Sequence, residues 1–261
     1  MRRGESVLAW LFVGALIAFL FLPVAVVVLF SLNSEASTSL PFTGFSLRWY
    51  HAAFADERFT SSLVNSVKVA AATAVIVALV GANASFAISR RKSRLLNAFS
   101  SFVTAPLILP GLFLGVALLS FFTQIGMQTS LTTVIIGHAL VTLPFVVLIV
   151  NARLMNLDQS IAEAARDLGA TPFQAYRKII FPLVRPAIFG AILLAVAWSF
   201  DEFIITFFTI GGQSTLPILI WGLLRQGIDP SVNAIASIIL GTTIVATLLA
   251  GWLISGRDLA R

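Results

Sequence analysis

Six long apolar stretches constrain this chain more than any other feature of its sequence. A helix that crosses the hydrocarbon core of a bilayer needs about 20 apolar residues, and each stretch supplies that length. Only 11% of the 261 residues are charged and 58% are hydrophobic, whereas an average soluble domain carries roughly 25% charged residues. This composition excludes an ordinary soluble enzyme and a nucleic-acid-binding module. The predicted spans are Leu8–Phe30, Val69–Ile88, Phe102–Phe122, Leu131–Val150, Ala187–Phe208 and Ile235–Ile254.

The basic residues between the spans predict the orientation of the chain. The formal net charge is +6, from 17 Lys and Arg against 11 Asp and Glu. Most basic residues fall in alternate connections and therefore on one side, whereas Arg48, Arg58 and Arg225 fall on the other. Because cytoplasmic loops are enriched in Lys and Arg, both termini are predicted to be cytoplasmic. The basic residues of the cytoplasmic side are Arg2, Arg3, Arg90, Arg91, Lys92, Arg94, Arg153, Arg166, Arg177, Lys178, Arg185, Arg257 and Arg261.

The first apolar stretch poses a choice between a membrane anchor and a cleaved secretory signal. It follows Met1-Arg2-Arg3, and Ser34-Glu35-Ala36 offers a small-x-small cleavage site. Its apolar run of about 23 residues exceeds the 7–15 residues of a typical signal core. We therefore expect a retained anchor.

Two extracytoplasmic segments are predicted to carry short helices. Gly44–Tyr50, within the first segment, has aromatic residues that suit an interfacial helix. Leu216–Gln226 is apolar but too short to cross a bilayer, which favours an interfacial or re-entrant helix.

The most informative connection is the cytoplasmic segment 151–186, between spans four and five. Ser160, with Glu163 three residues later, fits a capping box, and the Ala-rich sequence that follows favours a helix ending at Leu168. Gly169 is a natural left-handed residue after such a helix. The alternative is an ordinary amphipathic loop that lies on the bilayer.

A second helix is predicted to follow at once. Thr171 suits an N-cap and Pro172 suits the first helical position. This helix runs toward Ile180, and Pro182 is expected to end or kink it. The segment is therefore predicted to form a compact helix–turn–helix.

This segment resembles the EAA signature of binding-protein-dependent ABC importer permeases. The resemblance implies an all-α polytopic membrane protein with six transmembrane helices and the type I importer architecture, in which residues 1–261 form one permease domain. It also implies that the first helix of the signature docks into a groove of an ATPase subunit. The matching residues are Glu163, Ala164, Ala165, Gly169, Ile179, Phe181 (where the family usually has Leu) and Pro182. Those predicted to couple to the ATPase are Glu163, Ala164, Ala165 and Gly169.

Further stretches resemble the spermidine/putrescine branch of this family. The resemblance implies a small cationic solute such as putrescine or spermidine. Related permeases carry amino-acid derivatives, opines or ferric iron, so these solutes stay open. The stretches are Gly44–Tyr50, Leu143–Val147, Ser199–Phe203, Leu216–Ile218 and Asp229–Ala234.

Asp201 and Glu202 are the only formal charges within the six spans. A carboxylate at the bilayer centre costs about 2.5–3.5 kcal/mol on insertion scales. On a continuous helix, Glu202 would share a stripe with Trp198, Ser199 and Thr206, while Asp201 would point about 100° away. An acid beside an aromatic ring suits an ammonium group, which predicts that Glu202, more than Asp201, supports passage of a cation. The residues predicted to line the substrate path are Glu202, Asp201, Trp198, Ser199 and Thr206. The alternative is a structural pair, or a cap on a broken helix.

Other polar and small residues in the spans have simpler interpretations. Asn83 and His138 are expected to form helix–helix hydrogen bonds rather than to line a path. Gly111 and Gly115 have the GxxxG spacing, which favours close helix packing.

The energy for transport is expected to come from another subunit. The sequence has no Gly-x4-Gly-Lys-Ser/Thr phosphate loop, so we expect a transport subunit and not an enzyme, without cofactor or metal of its own. The resemblance implies a dimer of ATP-binding subunits that carries ATP and Mg²⁺, a second permease subunit and an extracytoplasmic solute-binding protein. It places the chain among the lipids of a bacterial inner membrane, with no nucleic-acid partner.

Two other classes of protein are alternatives to an importer permease. A stand-alone secondary transporter or channel would not need the EAA signature. An intramembrane hydrolase would need a Gly-x-Ser-x-Gly or His-Glu-x-x-His motif, and the sequence has neither.

Overall fold

The computed structural model describes residues 3–35, 42–90, 93–158, 160–226 and 230–258. Within these ranges the chain is helical apart from its connections, and the strand-like pairing is an isolated antiparallel bridge between Asn33 and Phe45. The all-α prediction is confirmed. The helices are α1 (Arg3–Ser31), α2 (Arg48–Ala55), α3 (Glu57–Arg90), α4 (Arg94–Thr104), α5 (Gly111–Gln124), α6 (Leu131–Met155), α7 (Ser160–Asp167), α8 (Pro172–Ala175), α9 (Phe181–Asp201), α10 (Ile204–Thr209), α11 (Leu216–Gln226) and α12 (Ser231–Asp258).

Four helical stretches in the described ranges are long and apolar enough to cross a membrane. They are Ala9–Ser31, Glu57–Ser89, Leu131–Met155 and Pro172–Asp201. The last predicted span lies inside α12, which has 28 residues. The count of six spans therefore stays a prediction.

The third predicted span, Phe102–Phe122, is not one helix. α4 ends at Thr104, a 3₁₀ turn follows over Ala105–Leu107, and α5 begins at Gly111. The two helical parts are bent by 105°. Pro106 and Pro110 account for this break, because proline has no amide to donate and disfavours helical geometry in the residue before it.

The chain divides into two compact units, and the first contains residues 1–60 and 219–261. In this unit α12 packs against α1 and α2. Trp49 donates its indole N–H to the Asn33 carbonyl over 2.9 Å, and the hydroxyls of Tyr50 and Ser31 lie 2.7 Å apart. These bonds fasten α2 to the end of α1, so the aromatic residues of the predicted interfacial helix also hold that helix in place.

The second unit, residues 61–218, contains both candidate sites. Its core lies where α6 packs against α3 and α9. α3 and α6 approach so closely that a Cβ on Gly81 would lie 2.8 Å from Cγ1 of Val146. The packed residues hold α9 against α6. They are Val77, Phe86, Val146, Val150, Val184, Ile188, Ala191 and Ala195.

Candidate functional site

The first candidate site is the helix–turn–helix that begins at α7. Gly169 follows the helix with φ +87°, as the sequence predicted. The Ala170 amide donates to the Ala165 carbonyl over 3.0 Å, and the Gly169 amide donates to the Arg166 carbonyl over 2.9 Å. This pair of bonds is a Schellman motif, which ends α7 sharply and reverses the chain.

The cap of α7 differs from the prediction. Ser160 lies inside the helix and donates its amide to Oδ1 of Asp158 over 2.9 Å, so Asp158 satisfies the exposed amide. The Ser160 amide and then its hydroxyl hold the pKa of the Asp158 carboxyl below its ordinary value. The predicted Ser160–Glu163 capping box is therefore wrong. Glu163 is exposed instead and lines the surface of the segment.

The second helix starts as the sequence predicted but continues further. Thr171 and Gln174 form a capping box, with bonds of 2.9 and 3.3 Å. Pro182 was expected to end or kink this helix, whereas a π-turn over Tyr176–Ile180 joins α8 to α9. Because proline has no amide to donate, the regular hydrogen bonding of an α-helix is disturbed near Pro182, and the wider π-turn lets the helix continue. A single helical rod therefore extends from Pro172 to Asp201.

The surface of the helix–turn–helix contains an open groove of about 540 Å³. Three of the four predicted coupling residues, Glu163, Ala164 and Gly169, are exposed, while Ala165 is only 8% exposed and packs inside the segment. Leu168 is 89% exposed. Leu168 lies at the turn beside these exposed residues, so it is a further candidate for contact with a partner that the signature did not include. The groove is lined by Glu163, Arg166, Asp167, Gly169, Ala170, Thr171 and Pro172.

The second candidate site is a break in the fifth predicted span, Ala187–Phe208. α9 ends at Asp201, Glu202 is extended with φ −70° and ψ 113°, and α10 begins at Ile204. The Ile205 amide donates to Oε1 of Glu202 over 2.8 Å. The prediction of one continuous helix is wrong, and so is the shared helical stripe inferred from it. The alternative that a carboxylate caps a broken helix describes Glu202.

His138 of α6 lies directly beside this break. Its Nδ1 is 2.8 Å from Oγ of Ser199, its Nε2 is 2.8 Å from Oγ1 of Thr206, and the residue is 1% exposed. The Trp198 indole meets the imidazole edge to face at 6.0 Å between ring centroids. The predicted helix–helix hydrogen bond of His138 is confirmed. Asn83 differs, because its amide donates to the Leu79 carbonyl of its own helix over 2.6 Å.

Three of the residues predicted to line a substrate path therefore surround the His138 ring. Ser199 and Thr206 are 4% and 0% exposed, and Trp198 is half-buried. Asp201 is exposed and Glu202 is half-buried. In this conformation Asp201 and Glu202 lie together at one turn, whereas the hydroxyls of Ser199 and Thr206 are buried inside the protein.

Small residues seat α10 against α5 and α6. A Cβ on Gly115 would lie 2.7 Å from Cδ2 of Phe208, which confirms the close packing expected from the GxxxG spacing. A Cβ on Gly137 would lie 2.7 Å from Cγ2 of Ile205. At the other end of α10, the Thr133 hydroxyl donates to the Thr209 carbonyl over 2.6 Å. The half-helix after the break is therefore held along its whole length.

The family pattern described as "Binding-protein-dependent transport system inner membrane component" matches residues 74–257. That range covers more than half of the chain and includes both candidate sites. The chain belongs to this family. It is a multi-pass membrane protein of the ABC importer permease class, as the EAA signature predicted.

Curated relatives share much of the sequence. The chain is 33% identical to "Putrescine transport system permease protein PotI" of Escherichia coli (strain K12), over 97% of this chain and 93% of that protein. It is 30% identical to "Spermidine/putrescine transport system permease protein PotC" of Haemophilus influenzae, over 92% of this chain and 93% of that protein. The resemblance to the spermidine/putrescine branch is therefore confirmed.

Solved structures share the fold at lower identity. A chain of a bacterial ABC transporter involved in the import of the acidic polysaccharide alginate aligns with a TM-score of 0.71, at 16% identity and over 98% of both chains. A chain of the MetNI methionine ABC transporter, in an inward-facing conformation, aligns with a TM-score of 0.61 at 18% identity, over 77% of this chain and 98% of that chain. The fold is therefore that of ABC importer permeases.

Proposed function

We propose that this chain is a permease subunit of an ATP-driven importer and forms half of the path for a small cationic solute such as putrescine or spermidine. One structural observation carries the proposal. A single helical rod, Pro172–Asp201, connects the exposed helix–turn–helix at one end to an acidic break at the other. The rod joins a surface suited to an ATPase with a site suited to a cation.

The coupling surface comprises the exposed residues of α7 and its turn. Glu163, Ala164, Leu168 and Gly169 would contact a groove in an ATP-binding subunit, a helix-in-groove mode of binding. ATP and Mg²⁺ would be held by the dimer of those subunits. When that dimer closes, α7 would move, and the rod would transmit the displacement to Asp201.

The topology in this proposal has six spans with both termini in the cytoplasm, as the distribution of basic residues favours. The cytoplasmic side then contains α7. The extracytoplasmic side contains the segments 31–63 and 209–234, which would receive solute from a binding protein. A second permease subunit would supply the other half of the path.

Two observations favour Asp201 over Glu202 as the contact for the cation, in contrast to the ranking expected from a continuous helix. Oε1 of Glu202 already accepts the Ile205 amide, whereas Asp201 is exposed at the end of α9. A helix C-terminus also favours a cation, because its free carbonyls carry partial negative charge. We therefore propose Asp201 as the main cation contact, with Glu202 holding the turn and Trp198 close by.

Other solutes of the same importer class remain the alternative, among them amino-acid derivatives, opines and ferric iron. The structural neighbour involved in alginate import illustrates why the fold does not select the charge of the solute. A stand-alone secondary transporter is a weaker alternative. A thermal-shift screen of the cognate binding protein, with putrescine and spermidine against acidic and neutral compounds, would separate the solutes.

The proposal is tested by uptake of labelled putrescine into proteoliposomes that contain the whole transporter. Asp201→Asn is expected to raise KM roughly 10- to 150-fold, since one charge-assisted contact is worth roughly 1.5–3 kcal/mol. Glu202→Gln keeps an oxygen for the Ile205 amide and should have the smaller effect on KM. Asp258→Asn removes an equal charge at the end of α12, outside both candidate sites and both extracytoplasmic segments, and serves as the control. Unchanged uptake in both break variants would refute a role for the acids.

A further inference from the structure

The His138 imidazole bridges the two halves of the broken span. Ser199 belongs to α9 and Thr206 belongs to α10, and each hydroxyl oxygen lies 2.8 Å from a different ring nitrogen. The Thr206 hydroxyl also lies 2.9 Å from the Glu202 carbonyl, to which it donates. Because that bond uses the only hydroxyl proton of Thr206, Nε2 of the ring donates to Thr206 and Nδ1 accepts from Ser199. Each nitrogen therefore has a partner.

Both halves pack against α6, and each also has a neighbour or connection of its own. α9 is the end of the rod that begins at Pro172, so it follows movements of the helix–turn–helix. α10 is seated on α5 and α6 through Gly115 and Gly137. The backbone between them, at Glu202, is extended and can act as a hinge. His138 spans this hinge with side-chain hydrogen bonds on both sides.

We propose that His138 is a positioning residue of the transport cycle, which keeps the Asp201–Glu202 turn in a fixed geometry as α9 moves. The inference rests on the proposed import function for its transport readout, but the geometry itself can be measured without solute. It assigns Ser199 and Thr206 to the support of the turn, not to contact with the solute.

A double-mutant cycle distinguishes support from contact. His138→Ala is expected to lower the solute transported per ATP hydrolysed about tenfold, the scale of one or two buried hydrogen bonds, while ATP hydrolysis continues. Ser199→Ala should lower it in the native background and have no further effect beside His138→Ala, since coupled residues are not additive. Additive effects would overturn the proposal. So would a parallel loss of ATP hydrolysis and transport in His138→Ala.

Conservative variants distinguish a loss of coupling from a loss of folded protein. Thr206→Ser retains the hydroxyl and should restore most of the coupling that Thr206→Val loses. Thr142→Val is the matched control, because its buried hydroxyl donates to the His138 carbonyl over 2.7 Å and does not touch the break. A loss of coupling in Thr142→Val equal to that in His138→Ala would contradict the proposal.

A distance measurement tests the support without any solute. The sequence contains no cysteine, so once any cysteines of the partner subunits are replaced, spin labels at Leu194 of α9 and Phe207 of α10, which are 45% and 50% exposed, measure the distance across the hinge. In the whole transporter, His138→Ala should broaden the distance distribution, and Thr142→Val should leave it narrow. A narrow distribution in His138→Ala would overturn the inference. Broadening in a transporter that imports no polyamine would uphold the positioning role and refute the proposed function.

Discussion

The left-handed turn at Gly169 allows a prediction whose magnitude follows from the backbone alone. Its φ is +87°, and a Cβ added there would meet no atom within 4 Å. The cost of Gly169→Ala is therefore conformational, about 1–2 kcal/mol for an L-residue in this region. Gly190 of α9 has equally open surroundings and no positive φ, so Gly190→Ala should stabilise its helix by about 0.5–1 kcal/mol. Gly169→Ala is therefore expected to destabilise the protein and Gly190→Ala to stabilise it, so that their free energies of unfolding differ by roughly 2 kcal/mol.

Amide hydrogen exchange on the purified transporter measures this difference. The Gly169 and Ala170 amides close the turn, and a loss of about 1–2 kcal/mol corresponds to roughly 5–30-fold faster exchange. Gly169→Asn should give an intermediate rate, because asparagine tolerates left-handed geometry better than alanine. If Gly169→Ala exchanges no faster than the native turn, or Gly169→Asn exchanges faster than Gly169→Ala, the reasoning about this turn is refuted.

Three further predictions concern the two candidate sites. Thr171→Val should destabilise the start of α8 by about 1 kcal/mol through loss of its cap, measured as faster amide exchange in α8 while α7 is unchanged. Gly137→Ala should lower the free energy of unfolding by about 1–3 kcal/mol, because its Cβ would lie 2.7 Å from Cγ2 of Ile205. A lower melting temperature would show this, and an unchanged one would contradict this packing. The pKa of Asp158 is held below its ordinary value of 3.8, so its stabilisation of α7 is present at neutral pH and is lost as the pH falls through the lowered folded-state pKa. Asp158→Asn should therefore show a smaller loss of α7 protection between pH 5 and 3, and equal losses would contradict the cap.

Local patterns were sufficient to predict the helix–turn–helix. Gly169 and Thr171-Pro172 act through the backbone of their nearest neighbours, and both were found where expected. The α7 cap was misassigned because Asp158 and Ser160 are both good caps, and the choice depends on where the preceding helix ends. The π-turn before Pro182 was not predictable, because a proline can end a helix, kink it or be accommodated by a wider turn, and its position alone does not choose among these.

The break at Glu202 shows the limit of a periodicity argument. The residues around it are apolar enough for a continuous span, and no proline marks the break, unlike the bend before α5. The partners that hold α10 come from other helices, namely Gly115, Gly137 and His138. The sequence did carry one signal, since adjacent carboxylates in an apolar helix need a local donor, and a capping role for one of them was among the alternatives.

We propose that ATP hydrolysis on partner subunits drives a cationic solute past the acidic break through the rod that begins beside α7. The most direct test is uptake of labelled putrescine by proteoliposomes that contain the whole transporter, with its binding protein and with ATP inside or outside. We expect saturable uptake that requires ATP on the side of the α7 surface and is abolished by Ala164→Glu, which places a bulky charge on that exposed surface. Uptake that continues without ATP, or that survives Ala164→Glu undiminished, would contradict it.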